Sequence, residues 1–174
     1  MYSQFSIAAI PTLRRTVFTV LLVLLMPMLL AAAQQHCFED AGEKYEIDPL
    51  LLNAIAQVES AMNPLAINFN PNGTQDIGLM QINSSHLKRL KKVGVTREKL
   101  LSDACVSVMV GAEILIGFIA RFGYTWRAVG AYNAGGGSNR EKIRQRYASK
   151  VVHEYRRLGA RAAEVASENP AWVY

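Results

Sequence analysis

Glu59 is the residue of this sequence whose position favours acid chemistry. It follows Val58 and lies one turn after Ile55, at the edge of an apolar stripe and in the last helical turn before Pro64. Partial burial there disfavours a carboxylate, and the negative end of the helix dipole disfavours it again. Both effects favour a carboxylic acid that keeps its proton near neutral pH, the state needed to protonate a glycosidic oxygen. Position alone leaves the solvated helix-end reading open. A second carboxylate, Asp76, stands just before Gly78-Leu79-Met80-Gln81, at the end of a turn-rich stretch from which it could face Glu59 across a cleft. It could stabilise positive charge or hold a water, or it could cap a helix running from Ile77 to Asn83.

These side chains need elements to carry them. Asp48-Pro49 reads as an N-cap and first-turn proline, and Leu51, Ile55, Val58 and Met62 then recur at helical spacing until Asn63-Pro64. Cys37 to Tyr45 predicts an earlier helix. Asn68 to Thr74 is dense in turn formers and predicts a tight loop or small hairpin, and Gly78 to His86 is read as helix. From Ala104 to Ala120 only Ser107 and Glu113 interrupt an apolar or glycine run, which predicts a core helix buried on most of its circumference. Its length and Glu113 argue against a membrane span. Trp126 to Tyr132 forms a short helix ending in Asn133-Ala134-Gly135-Gly136-Gly137, and Asn139 to Ala166 supplies one or two more with a basic outer face. Residues 66–77 make one small non-helical lobe, and 169–174 a loose tail.

The whole chain has 174 residues, 51% of them hydrophobic, with 19 Lys+Arg against 14 Asp+Glu for a net charge of +5. That excludes a disordered chain and leaves room for one domain. Arg14 and Arg15 precede an apolar run from Val17 to Leu30 that Pro27 breaks, and Ala31-Ala32-Ala33 follows. This order predicts a signal peptide, residues 1–33, cleaved after Ala33 on the Sec route, and hence a periplasmic protein. The alternative is an uncleaved anchor. Cleavage removes two arginines and lowers the net charge from +5 to +3, too mild for a nucleic-acid binder. The surplus lies in Arg140 to Glu168, with eight basic and four acidic residues, a face suited to an anionic polymer or membrane surface, or simply solvated. Cys37 and Cys105 are the only cysteines, and an exported compartment permits them to pair; the alternative is two buried thiols. Their disulfide would close a loop of roughly seventy residues and stabilise by about 2–4 kcal/mol. His36, His86 and His153 show no metal-ligand spacing, so no metal is expected.

Four stretches, Glu59-Ser60-Ala61-Met62-Asn63-Pro64-Leu65-Ala66, Asp76-Ile77-Gly78-Leu79-Met80-Gln81-Ile82-Asn83, Ala131-Tyr132-Asn133-Ala134-Gly135 and Tyr147-Ala148-Ser149-Lys150-Val151, resemble in order and spacing the lytic transglycosylase domain of the soluble-transglycosylase type. The likeness runs from about Cys37 to Tyr155. With its signal segment and cysteine pair, the compact chain is similar to the specialised members that accompany bacterial secretion, conjugation or pilus machines. The resemblance implies a mainly α, lysozyme-like single domain over residues 34–168 that cleaves the β-1,4 bond between N-acetylmuramic acid and N-acetylglucosamine in peptidoglycan. Glu59 falls on the family's catalytic acid, and the product would be a 1,6-anhydro sugar.

No metal or cofactor is implied, because the muramic C6 hydroxyl serves as nucleophile and the substrate's N-acetyl group can assist. Gly78 would let backbone pass close to the cleft, and Gln81 would bond sugar or the region around Glu59. Tyr132 and Asn133 would pack on a sugar and grip its acetamido group. Tyr147 would orient Glu59 or the acetamido group, and Ser60 would support the helix end. The family often lacks a second carboxylate, so Asp76 raises the alternative of a hydrolytic muramidase. A further rival is a glycan-binding assembly component of the same machine. The partners implied are peptidoglycan strands and components of that machine, with no nucleic acid and no membrane span after signal cleavage.

Overall fold

The computed structural model of the chain describes residues 36–168. The expected signal peptide (1–33) and tail (169–174) lie outside the described residues. Helix α1 runs through residues 36–45, and the chain then turns at Glu46, whose φ of 53° is left-handed. Asp48 caps α2 (Pro49–Ser60), its Oδ1 accepting from the Leu50 N–H at 2.8 Å, with Pro49 at the first helical position. This helix buries Leu51, Leu52, Ala54, Ile55 and Ala56. Ala61 and Met62 take left-handed φ values of 50° and 66°, so α2 stops at Ser60, ahead of the Asn63-Pro64 boundary that the sequence pattern suggested.

The lobe that follows is an antiparallel sheet of β1 (Ile67–Phe69), β2 (Gln75–Ile77) and β3 (Ile82–Asn83), in that order. Asp76 sits opposite Asn68 on one side and Asn83 on the other. The helix expected over Gly78 to His86 is absent: these residues form a turn, β3 and a 3-10 turn over Ser84–His86. Tertiary packing overrides the helical reading. Ile77, Leu79, Met80 and Ile82 are all essentially fully buried, a continuous run that no single helix face explains. Gly78 has φ 76°, and a Cβ on it would stand 2.4 Å from the Leu100 carbonyl oxygen. The Met80 N–H donates to Ser107 Oγ at 3.1 Å, which pins the turn to the helix behind it.

Two short helices, α3 (Leu87–Leu90) and α4 (Arg97–Ser102), lead into α5 (Ala104–Phe122), capped by Asp103, whose Oδ1 accepts from the Val106 N–H. This helix is less enclosed than its composition suggests. Ser107, Val108, Val110, Gly111, Ala112 and Leu115 form its buried stripe, whereas Gly117 and Ala120 are exposed and Ile114 and Phe118 border an open cleft. The remaining helices are α6 (Trp126–Ala134) and α7 (Glu141–Glu168), one continuous helix where one or two were expected. One member of the expected basic outer face is not outside. Arg144 is 1% exposed and donates to the carbonyls of Gly135 and Gly137, at 2.6 and 2.7 Å, and to Glu141. Cys37 and Cys105 form a disulfide that ties α1 to the first turn of α5, which removes the alternative of two free thiols.

Candidate active site

The end of α2, the sheet, α5 and the end of α6 border a cleft of about 560 Å³. Glu59 stands at its wall because α2 delivers it one residue before the helix ends. The Tyr147 hydroxyl, brought in by α7 from 88 residues away, donates to Glu59 Oε1 at 2.6 Å. Burial is the largest influence on this carboxyl and raises its pKa. The Tyr147 hydrogen bond and the Lys150 charge oppose that, and the neighbouring Asp76 charge adds to it, leaving the group at about 7 instead of the ordinary 4.5. A carboxyl so placed is substantially protonated at neutral pH and still able to give the proton up.

Asp76 borders the same cleft from the middle of β2. It caps no helix, so that reading is corrected. Its Oδ2 accepts from Asn70 Nδ2 at 2.9 Å and its Oδ1 from Asn83 Nδ2 at 2.7 Å. The two amides fix the carboxylate across the sheet, and Thr74 Oγ1 in turn accepts from both Asn70 and Asn83. Sequence reasoning singled out neither asparagine as a site residue. The cross-strand pairing of Asp76 with Asn83 carries the signal, and it exists only once β3 is recognised as a strand.

Gln81 also borders the cleft, but not as a residue one helical turn beyond Gly78. It has φ 48°, and its side chain is committed to the fold: Nε2 donates to the Gly78 and Ala66 carbonyls at 2.8 and 3.2 Å, and Oε1 accepts from Asn68 at 2.6 Å. Gly78 is required by the approach of Leu100 and is not among the residues lining the cleft. Ser60 is also outside the lining; its Oγ donates to the Leu79 carbonyl at 2.7 Å, joining the end of α2 to the β2–β3 turn.

Tyr132 and Asn133 both reach the cleft from the last turn of α6. The Tyr132 hydroxyl donates to the Met80 carbonyl at 2.8 Å, and burial pushes the pKa of both Tyr132 and Tyr147 well above the usual tyrosine range, so both remain neutral donors. Asn133 is exposed at the cleft, while Gly135, at φ 74°, turns the chain after the helix. His86, Ile114 and Phe118 also line the cleft, and His86 was not singled out as a site residue; burial and then the Arg89 charge lower its pKa. Among the described residues, no group of three or more His, Cys, Asp or Glu is arranged to hold a metal ion.

Residues 36–153 match the family model for the transglycosylase SLT domain. The chain is 52% identical over 132 residues to the invasion protein IagB of Salmonella typhimurium, covering 76% of this chain and 82% of that protein. It is 41% identical over 147 residues to the protein IpgF of Shigella flexneri, covering 84% and 95%. Among solved structures, an inactive mutant of the lytic transglycosylase Slt from Pseudomonas aeruginosa superposes with a TM-score of 0.60 at 21% identity, over 74% of this chain and 24% of that larger one. That likeness carries the fold.

Proposed function

Because the chain belongs to the transglycosylase SLT domain family and is a lytic transglycosylase, we propose that it cuts the β-1,4 bond between N-acetylmuramic acid and N-acetylglucosamine in peptidoglycan. The observation that carries this reading is a buried carboxyl raised to about 7, hydrogen-bonded by Tyr147, in a cleft of about 560 Å³. Protonated Glu59 gives its proton to the bridging oxygen as the bond from that oxygen to muramic C1 breaks. The resulting carboxylate then takes the proton of the muramic C6 hydroxyl while that oxygen bonds to C1. One proton leaves and one returns, no water is consumed, and the product ends in a 1,6-anhydro ring.

Tyr147 orients the carboxyl for both steps, and Asn133 and the Tyr132 ring contact the sugar and its acetamido group. Ser60 and Gln81 act indirectly, since Ser60 Oγ and Gln81 Nε2 already bind backbone carbonyls and Gln81 Oε1 the Asn68 amide, which holds the end of α2 and the β2–β3 turn in place. Asp76 supplies negative charge that adds to burial in keeping Glu59 protonated and stabilises positive charge developing at C1. The same carboxylate supports the second reading, a hydrolytic muramidase in which Asp76 holds an attacking water. Both of its oxygens already accept an asparagine amide, which favours the first reading.

The setting we propose is the periplasm, reached through the N-terminal segment, where the enzyme opens gaps in the wall for an envelope-spanning secretion, conjugation or pilus apparatus. The disulfide and the likeness to a relative called an invasion protein support that placement. Glu59→Gln tests the chemistry: soluble muropeptide release from purified sacculi is expected to fall at least about a thousandfold with the fold retained. Release at the wild-type rate by this variant contradicts the assignment of Glu59.

A further inference from the structure

Helix α7 has two unlike sides. Arg144, Tyr147, Ala148 and Val151 are buried against the body of the protein. On the opposite side Lys142, Arg146, Lys150, Arg156 and Arg161 are all exposed, and their spacing of about one helical turn places them on one face, together with His153 and Arg157. Because α7 is one uninterrupted helix, this face is straight and runs about 28 Å from Lys142 to Arg161.

The positive charges on this face are largely unanswered. Glu141 is taken by Arg127 and the buried Arg144, and Glu154 by Arg157. That leaves Glu164, toward the far end, as the other carboxylate of the described helix. Among the described residues, Lys142, Arg146, Lys150, Arg156 and Arg161 form no hydrogen bond or ion pair. None of the five lines the acid cleft, so a surface held here leaves the cleft open. Ile143 is 45% exposed and lies two turns before Lys150, at the edge of the same face. An isoleucine left in water beside Lys142 and Arg146 gains by contact with an apolar layer.

We propose that this face of α7 docks on the anionic headgroups of a phospholipid bilayer, with the helix lying along the surface. The proposal goes beyond the glycan chemistry and does not depend on it. A plane of phosphates matches a straight row of cations. Arg146, Arg156 and Arg161 are the members of the row that suit phosphate best, since a guanidinium can give two parallel hydrogen bonds to its oxygens. Each cation brought to such a surface adds an attraction that salt weakens. Ile143 decides for a bilayer over a soluble phosphate polymer, because only the bilayer has an apolar layer beneath its charges for that side chain to enter.

The test is co-sedimentation of the exported chain with vesicles of phosphatidylglycerol and phosphatidylcholine in equal parts, beside vesicles of phosphatidylcholine alone. The wild type is expected to bind the anionic vesicles, to leave the neutral ones, and to be released as salt is raised. Arg156→Glu/Arg161→Glu is expected to weaken that binding at least about thirtyfold, and Arg156→Lys/Arg161→Lys to retain most of it, which separates lost charge from lost fold. Ile143→Ser is expected to weaken vesicle binding about fivefold while leaving binding to soluble polyphosphate unchanged. Equal binding to both vesicles, binding to neither, or wild-type binding by the charge-reversed variant overturns the proposal. Wild-type vesicle binding by Ile143→Ser overturns it as well, and reassigns the face to soluble phosphate polymers.

Discussion

Glu59 gains its character from two opposing sets of neighbours. Burial and the Asp76 charge hold the proton on, and the Tyr147 hydroxyl and Lys150 favour its release. A carboxyl at about 7 must be protonated to start the proposed reaction, so the rate is expected to decline as pH rises through about 7. Tyr147→Phe removes a donor that stabilises the carboxylate, so its declining limb should move to higher pH, with kcat reduced about tenfold or more by the loss of orientation. A pH–rate profile of both proteins checks the direction; a limb moving to lower pH contradicts it. The environment of Glu59 was partly legible in the sequence, because the spacing from Ile55 and the approach of Pro64 place it at an apolar edge near a helix end. Its partner was not legible from spacing. Tyr147 lies 88 residues away, and only the likeness of its surrounding stretch to a family motif pointed to it.

At the scale of elements, the helices with capping residues and clear periodicity were the readable ones: α2 with Asp48 and Pro49, and α6 with its glycine-rich exit. The stretch from Gly78 to His86 was not readable, because its apolar residues are buried in succession and so lack a period that separates helix from turn and strand. Two left-handed residues, Gly78 and Gln81, decide the matter, and a glutamine at positive φ leaves no sequence signature. The enclosure of α5 was overestimated for a related reason. An apolar helix can spend part of its surface as the wall of a cleft, as Ile114 and Phe118 do. If the β2–β3 turn positions the lobe, Gly78→Ala should destabilise the fold by roughly 2–4 kcal/mol, from the left-handed backbone and the clash with the Leu100 carbonyl. Urea unfolding at fixed pH measures this, and a change below about 0.5 kcal/mol would contradict the role given to that close approach.

For the whole molecule, a long helix (α7) closes the site, since it contributes Tyr147 to the acid and buries Arg144 against the loop that follows α6. The mainly helical, lysozyme-like architecture was legible because four motifs occur in one order, while the course of the cleft required the sheet. The disulfide from α1 to α5 is expected to contribute about 2–4 kcal/mol, read as a lower unfolding midpoint for the Cys37→Ser/Cys105→Ser variant. An unchanged midpoint contradicts that contribution.

The two routes differ in where the oxygen at the new chain end comes from. Digestion of purified sacculi in oxygen-18-enriched water, followed by mass spectrometry of the released fragments, answers it directly. Attack by the muramic C6 hydroxyl leaves anhydro ends that are lighter than reducing ends by one water and carry no heavy oxygen. Reducing ends that carry the label would contradict it and assign Asp76 to a hydrolytic route.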